Sequence, residues 1–348
     1  MPRLVETPFP KVGTFPAAGL GTPRAVDING DGLLDLVVSA GENIYIFMNV
    51  GTKTAPRFAV HDRPLPGIWS SAPLPTFGLQ FLDWDGDGRL DILSGLTVYR
   101  NLGDGEYRPE RLMSLDNPID HPSPHGDPWV FTQLADLDGD GRPDLLFGTH
   151  EGHVWLHRNL GGKPARFDPV GVKLKTEDGK PIQVGRPSGV KLDFDQLQGA
   201  RTAFSVADFD GDGLLDLVVG DTYGKLRYYR NIGTRKKPLF AAPMDLGDLK
   251  IRVVPHAADW DGDGRPDVIA SAASGEVVWF RNLGANRFST AQRIAVPPVP
   301  YSPSVAAVDW NSDGDVDLIV GAAYGYFCWF ERSFLEWGYA RAERVLGR

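Results

Sequence analysis

The 348-residue sequence has a single cysteine, Cys328, so no intrachain disulfide can form. No apolar run approaches the roughly 20 residues of a membrane-spanning helix, so no membrane span is expected. Acidic residues outnumber basic ones by 45 to 36 and no basic tract stands out, which argues against a nucleic-acid partner. The N-terminal stretch lacks the basic-then-apolar order of a signal peptide, which favours a cytosolic protein or a mature or trimmed chain.

Long helical periodicity is also missing from the sequence. Glycine and proline are frequent instead, at 41 and 28 residues. This combination favours many short strands joined by tight turns. The apolar and charged fractions, 42% and 23%, are those of a soluble globular protein.

Six acidic nine-residue segments recur along the chain. Each is followed by a short apolar run that predicts a buried strand, and then by an aromatic strand. In four copies this aromatic strand leads into Arg-Asn-hydrophobic-Gly. The six segments are DINGDGLLD (27–35), DWDGDGRLD (83–91), DLDGDGRPD (136–144), DFDGDGLLD (208–216), DWDGDGRPD (259–267) and DWNSDGDVD (309–317).

Each repeat predicts four antiparallel strands, A to D, with the acidic segment between A and B. A unit of this size cannot bury both faces alone, so radial packing of six units predicts an all-β, six-bladed β-propeller. Seven blades are the alternative. We expect a single domain over residues 1–348, with an added hairpin within about 168–200. Segments near both ends, PRLVETPF and GYARAERV, resemble strand D, and one of them is expected to close the ring.

The acidic segment has the chemistry of a cation site. Positions 1, 3 and 5 carry Asp or Asn in every copy, and position 9 is always Asp. Alternate side chains of a tight loop, with the carbonyl of position 7, can converge on one centre, and all-oxygen ligation favours calcium. The predicted ligands are Asp27, Asn29, Asp31, Leu33, Asp35, Asp83, Asp85, Asp87, Arg89, Asp91, Asp136, Asp138, Asp140, Arg142, Asp144, Asp208, Asp210, Asp212, Leu214, Asp216, Asp259, Asp261, Asp263, Arg265, Asp267, Asp309, Asn311, Asp313, Asp315 and Asp317.

We therefore predict about six structural calcium ions, one for each segment, as the cofactor. An EF-hand is excluded, because position 12 is never Glu and falls in the predicted strand B. The alternative is a set of solvated Asp-Gly turns without metal. Weak calcium sites would stay empty in a calcium-poor cytosol, so this chemistry predicts an extracellular or periplasmic location.

The acidic segments, together with the small residues that end the following strand, resemble the FG-GAP repeats, also called VCBS repeats. The resemblance covers nearly the whole chain and implies the calcium-binding propeller of integrin alpha chains and of many bacterial secreted proteins. It also implies roles in adhesion, in carbohydrate binding and in some polysaccharide lyases. The sixth copy departs from the pattern at Asn311, Ser312 and Asp315, so we expect its site to be the weakest.

Two histidine-containing segments lie outside the acidic repeats. HEGHVWLH at 150–157 raises a zinc hypothesis, although His157 falls in register with Phe47, Tyr99, Tyr229, Phe280 and Phe330 and is expected in the core. HPSPHGD at 121–127 is a loop with two histidines, for which a catalytic or metal role is a minor alternative. Periodic tryptophans at position 2 and on strand C predict packing between blades.

For function, we predict a binding or adhesion module with a carbohydrate or protein ligand, monomeric and without a catalytic site. The ligand is expected on the face of the D–A and B–C connections, opposite the acidic segments. The rivals are a polysaccharide lyase or hydrolase on that face, and a ligand-free scaffold of a larger secreted protein. The candidate ligand residues are Trp69, His125, Trp129, His150, Glu151, Tyr223, His256, Tyr301 and Tyr324.

Overall fold

The computed structural model describes residues 22–40, 43–60, 65–66, 78–112, 131–149, 151–185, 200–296, 304–321, 327–333 and 335. These residues form 28 β-strands, which assemble into six antiparallel sheets and two short hairpins. Each sheet is one blade, and its first three strands are neighbours in chain order. No helix in the described ranges has the length and apolar character needed to cross a membrane.

The first two blades differ in their outer strand. In blade 1 this strand is split into two short pieces that both pair with the third strand, whereas blade 2 has one continuous outer strand. The bounds in blade 1 are β1 (Thr22–Val26), β2 (Asp35–Ala40), β3 (Asn43–Asn49), β4 (Phe58–Val60) and β5 (Leu65–Pro66); those in blade 2 are β6 (Gln80–Leu82), β7 (Asp91–Ser94), β8 (Thr97–Gly103) and β9 (Glu106–Arg111).

Blade 3 contains an extra two-stranded hairpin between its third and outer strands, and blade 4 does not. The bounds in blade 3 are β10 (Phe131–Ala135), β11 (Asp144–Gly148), β12 (Val154–His157), β13 (Asn159–Gly161), β14 (Arg166–Phe167) and β15 (Val172–Lys173); those in blade 4 are β16 (Ala203–Ala207), β17 (Asp216–Gly220), β18 (Lys225–Tyr229) and β19 (Met244–Asp248).

Blade 5 has the same extra hairpin as blade 3, and blade 6 contributes three strands to the described residues. The bounds in blade 5 are β20 (Val253–Ala258), β21 (Asp267–Ala272), β22 (Val277–Phe280), β23 (Asn282–Gly284), β24 (Arg287–Phe288) and β25 (Gln292–Arg293); those in blade 6 are β26 (Ser304–Val308), β27 (Asp317–Gly321) and β28 (Phe327–Phe330). The two terminal segments predicted as alternative ring-closing strands lie outside the described residues.

The apolar runs after the acidic segments form the second strand of every blade, as predicted. This strand pairs on both sides and is buried throughout, for example in β17 and β27. Its first residue is always the position-9 aspartate of the acidic segment. The acidic segment is therefore the turn that joins the innermost strand to the most deeply buried one.

The core consists of six apolar clusters, each formed by two neighbouring blades. The cluster between blades 6 and 1 contains Leu36 and Phe47 from blade 1 with Trp310 and Trp329 from blade 6. The innermost strands β26 and β1 lie side by side there. Six clusters for six blades close the ring, so the six-bladed β-propeller is confirmed and the seven-blade alternative is wrong.

The position-2 residue of each acidic segment docks against the outer corner of the next blade. Trp84 donates its Nε1–H to the carbonyl of Ala165 at 2.9 Å, and Phe209 meets Phe288 with ring centroids 5.8 Å apart. Trp310 stacks on Phe58 at 5.3 Å across the ring closure. The position-2 residues of the other three blades are Leu137 in blade 3, Trp260 in blade 5 and Ile28 in blade 1. Each belongs to the apolar cluster that its blade shares with the next blade. All neighbouring blades are thus interlocked in the same direction.

One further expectation about packing is confirmed. His157 is 1% exposed and pairs with Leu145 in the register in which Phe280 pairs with Val268, so it is a core residue. The described residues after β15 form a hairpin, in which Ile182 N–H donates to the carbonyl of Leu174 at 2.8 Å. This hairpin also contacts blade 4, because backbone hydrogen bonds join it to Phe240.

Truncation of one docking residue should loosen a blade interface. Trp84→Ala removes a side chain that is 6% exposed, and we expect it to lower the free energy of unfolding by about 3–5 kcal/mol. The control is Leu160→Ala, which is 55% exposed and should stay within about 0.5 kcal/mol of the parent protein. Equilibrium urea unfolding measures both, and equal effects of the two changes would contradict the interlock.

Candidate metal centres

The acidic segments form tight loops that are held together by their own carboxylates. In blade 2 the position-1 carboxylate of Asp83 accepts the N–H of Asp87 at 3.0 Å and that of Gly88 at 3.1 Å. The other five blades repeat both contacts at 2.8–3.1 Å. In all six, the position-5 carboxylate accepts the N–H of position 7 at 2.8–3.0 Å. The predicted ligand positions therefore line one compact turn.

Positions 4 and 6 of every loop have a positive φ, which explains the glycines there. In the sixth loop position 4 is Ser312, and it adopts a φ of 56° all the same. A non-glycine residue in this region costs about 1–3 kcal/mol. The sixth loop thus keeps the shape of the others at a conformational cost.

Position 9 is the most deeply buried part of each loop, since its six aspartates are 0–1% exposed. Asp267 illustrates the contacts: Oδ2 accepts the N–H of Trp260 at 3.2 Å, and Oδ1 accepts the N–H of Asn282 at 2.6 Å. The Oδ1 contact to the corner after the third strand recurs in all blades at 2.6–2.9 Å. We call it the aspartate clasp, because it ties the A–B loop to the C–D corner.

Burial destabilises the ionised form of these clasp carboxylates. Desolvation raises the pKa of Asp35, Asp144, Asp216 and Asp317 to about 6, and it also raises the pKa of Asp91 and Asp267. Backbone N–H donors lower these pKa values, but desolvation outweighs them. A cation next to the clasp would favour the ionised form.

Arginines partly neutralise the loops of blades 2 to 5. The arginine immediately before the clasp donor pairs with the position-3 aspartate in each: Arg100 with Asp85, Arg158 with Asp138, Arg230 with Asp210 and Arg281 with Asp261. A second arginine, at position 7, pairs with the position-5 aspartate in blades 2, 3 and 5. The sequence did not predict these pairs; it assigned Arg89, Arg142 and Arg265 as ligands through their carbonyls alone.

The remaining carboxylate oxygens fit a hard cation. In blades 2, 3 and 4, oxygens of positions 1, 3 and 9 lie within 4.8 Å of one another, and in blade 5 those of positions 1, 3 and 5 do. Two of these residues, Asp138 and Asp261, each have a buried Oδ1 that meets no hydrogen-bond donor within the described residues. Buried unpaired oxygens in a carboxylate cluster suit Ca²⁺, which takes six to eight oxygen ligands at about 2.3–2.6 Å.

Three of the predicted ligand-face residues lie within the described part of the chain. Glu151 is exposed in the turn between β11 and β12, and Tyr223 is half-buried in the turn between β17 and β18. His256 lies inside β20 rather than in a connection, and its Nε2 accepts the N–H of Ala307 in blade 6 at 3.4 Å. The other six lie outside the described residues: Trp69, His125, Trp129, His150, Tyr301 and Tyr324.

The histidines of the zinc hypothesis are accounted for by packing where they are described. His153 Nδ1 lies 2.9 Å from the carbonyl of Ile182, and His157 Nδ1 lies 2.7 Å from that of Asp168. Both rings are buried, and burial lowers the pKa of His157. Each Nδ1 is therefore the N–H donor to a backbone carbonyl. The segment at 121–127 lies outside the described residues.

A cleft on the acidic-loop face was not predicted. It has a volume of roughly 200 Å³ and lies between blades 1 and 2, with Ile28, Met48, Tyr107 and Arg89 among its lining residues. Position 2 is Ile28 here, whereas blades 2, 5 and 6 have a tryptophan at that position. The smaller side chain leaves this corner of the interface open.

The fold and the loops define a β-propeller with an acidic turn in each blade. The FG-GAP-like repeat family matches residues 27–94, 83–147, 208–270 and 259–320, which together span well over half of the sequence. The chain therefore belongs to this family.

Individual proteins are similar to parts of this chain. Phosphatidylinositol-glycan-specific phospholipase D from Mus musculus and from Rattus norvegicus is 30% identical over 162 residues, covering 41% of this chain and 18% of each relative. The chain thus spans less than a fifth of these curated relatives. An Agrocybe aegerita lectin, described as recognising non-reducing terminal N-acetylglucosamine, is 21% identical with a TM-score of 0.51, over 87% of this chain and 74% of the lectin. This likeness shows a shared fold.

The aspartate clasp should stabilise the blade even without a cation. Asp267→Ala leaves two buried N–H groups unpaired, so we expect a loss of about 2–5 kcal/mol in unfolding free energy in the presence of a chelator. The control is Asp245→Ala, whose side chain is 75% exposed and which should have little effect. Urea unfolding in EDTA is the measurement; a loss below about 1 kcal/mol for Asp267→Ala would contradict the clasp.

Proposed function

We propose that this chain is a calcium-stabilised β-propeller that serves as a binding module, with calcium in a structural role. The observation that carries the proposal is the set of six acidic loops, each closed by a buried aspartate whose pKa burial raises. The unpaired oxygens of Asp138 and Asp261 support a cation of this kind. Bound calcium would supply the positive charge that these buried carboxylates lack.

Each residue of a loop has a separate part in this proposal. Positions 1, 3 and 5 offer side-chain oxygens, and position 7 offers its carbonyl. Position 9 connects the loop to the third strand through the clasp, so cation binding and blade stability are coupled. Exposed loops of high ligand charge resemble extracellular modules, for which dissociation constants of about 10⁻⁴–10⁻³ M are typical. An extracellular or periplasmic location is part of the same proposal.

The ligand surface in this proposal is the face opposite the acidic loops. Glu151 and Tyr223 lie in B–C turns on that side, and connections on a rigid scaffold are common places for binding residues. The ligand class we favour is carbohydrate, with a protein ligand as the alternative. The Agrocybe aegerita lectin, described as recognising non-reducing terminal N-acetylglucosamine, has a similar fold, which makes glycans the first class to test.

Calcium should raise the stability of the propeller strongly. At 100 times the dissociation constant each occupied site contributes about 2.7 kcal/mol, so several sites together would equal a typical domain stability of about 5–15 kcal/mol. We expect EDTA to lower the melting temperature sharply and metal analysis to find about six calcium ions per chain. Calorimetry that finds none or one per chain, with the same melting temperature in EDTA, would contradict the proposal.

Ligand binding should be lost by substitutions on the proposed face only. We expect the chain to bind members of a glycan array, and Glu151→Ala with Tyr223→Ala to weaken that binding. Leu283→Ala is the control, because this residue is 44% exposed on β23, at the C–D corner. Loss of binding in the control and not in the double variant would place the ligand on the opposite face. No binding in calcium to any glycan would remove carbohydrate as the ligand class.

A further inference from the structure

An arginine immediately before the residue that donates the clasp hydrogen bond is present in only four of the six blades. It pairs with the position-3 aspartate in blades 2 to 5, at 2.5 Å for Arg230 with Asp210 and for Arg281 with Asp261. Both arginines also reach position 5, with Arg230 Nη2 at 3.2 Å from Asp212 and Arg281 Nη2 at 3.3 Å from Asp263. Each arginine therefore holds the part of the loop in which the cation would bind.

The carboxylate end of these pairs is well shielded from water. The side chains of Asp85, Asp138, Asp210 and Asp261 are 5–15% exposed, whereas the arginines are 30–42% exposed. Ion pairs with a desolvated partner and charge-assisted hydrogen bonds are stronger than exposed surface pairs. These arginines are thus able to stabilise the loop without a metal ion.

Blades 1 and 6 change both members of the pair at once. The residue before the clasp donor is Met48 in blade 1 and Glu331 in blade 6, and position 3 is Asn29 and Asn311. In both blades the Asn amide donates to the position-5 carboxylate at 2.9 Å. Aspartate thus occurs at position 3 only where an arginine faces it, and the rule has no exception among the six copies.

The two arginine-free loops have no arginine to offset their carboxylates, which number three in blade 1 and four in blade 6. Asp27, Asp31 and Asp35 in blade 1 form no ion pair with a described lysine or arginine. In blade 6 the same holds for the four aspartates of the loop, and Glu331 adds a further negative charge nearby. Without a cation, the described residues oppose the repulsion within these loops with backbone donors and one asparagine amide in each loop.

Blades 1 and 6 are neighbours in space, and they meet where the ring closes. All other neighbouring blades follow one another in the chain, whereas this interface is held by packing of β1 on β26 and by the core cluster around Trp310. Each of the other five interfaces has at least one arginine-paired loop. The closure is therefore the one interface in the described structure that combines two arginine-free loops with no direct chain connection.

We propose that Arg100, Arg158, Arg230 and Arg281 are built-in counter-ions that keep blades 2 to 5 folded without calcium, and that the loops of blades 1 and 6 depend on the ion. This inference rests on the proposed calcium binding. It means that calcium bound to the loops of blades 1 and 6 stabilises the interface that closes the ring, and we call this role the calcium lock. Removing calcium opens the interface between blades 6 and 1 first, and the other blades keep their packing at that stage.

Amide hydrogen exchange of the full chain, in calcium and in EGTA, tests the proposal. In EGTA the amides of β1, β26, β27 and the two arginine-free loops should exchange roughly tenfold faster or more, the size of one charge-assisted bond. Amides of blades 3 and 4 should change much less. Exchange that rises equally in all six blades would overturn the role of the arginines and leave calcium binding intact.

Two double variants provide matched controls, since one adds the aspartate–arginine pair to blade 1 and the other removes it from blade 3. Asn29→Asp with Met48→Arg gives blade 1 the missing ion pair, and it should restore most of the protection of β1 in EGTA. Asp138→Asn with Arg158→Met removes the pair from blade 3, and it should make that blade sensitive to EGTA. Unchanged exchange in both double variants would overturn the inference.

Terbium luminescence distinguishes a failure of the proposed calcium binding from a failure of the calcium lock. It reports metal binding directly and does not require a known glycan or protein ligand. We expect Tb³⁺ to bind the parent protein and to be displaced by calcium. No Tb³⁺ binding and no effect of EGTA on exchange would contradict the proposed function itself. Binding without a local effect at the closure would contradict the calcium lock alone.

Discussion

A carboxylate that has lost its water must be held by donors or by a positive charge, and each blade is arranged around one such group. The clasp aspartate accepts one N–H group from the corner after the third strand, and in five blades another from position 2 of its own loop. These contacts connect the acidic loop to the end of the third strand in every blade. The apolar second strand starts at the same residue, so its register and burial follow from the clasp.

The rest of the acidic loop adjusts the charge around this buried group. Position 1 uses its oxygens for backbone donors, which makes it part of the turn as well as a candidate ligand. Positions 3 and 5 are where the blades differ, since arginine partners are present in four and absent in two. The same turn geometry therefore occurs with an aspartate–arginine ion pair at position 3 in four blades and with an asparagine at that position in two. The arginines hold the turn by direct pairing, whereas the other version holds it with an asparagine amide and backbone donors.

The sequence was sufficient for the architecture because the information is local and repeated six times. Strand order, the buried second strand and the core position of His157 follow from the spacing and polarity of neighbouring residues. The arginine pairs with position 3 were missed because they join residues 15 or 20 positions apart, through side-chain directions that a motif does not contain. The signal was nevertheless present: Asn29 occurs with Met48, and Asn311 with Glu331. His256 was misplaced because pattern alone does not mark where β20 begins.

The direction of the interlock between blades defines which piece of the chain is a transferable module. The bulky residue at position 2 of one loop fits the outer corner of the next blade, as Trp310 fits Phe58 and Phe209 fits Phe288. A single blade moved into another propeller would lose both of these contacts. Its own position-2 residue would meet a foreign outer corner, and its outer corner would receive a foreign position-2 residue. A segment that keeps such a pair together runs from one acidic loop to the outer corner of the following blade, as from Trp84 to Ala165, so recombination that preserves the interlock has to exchange more than one blade.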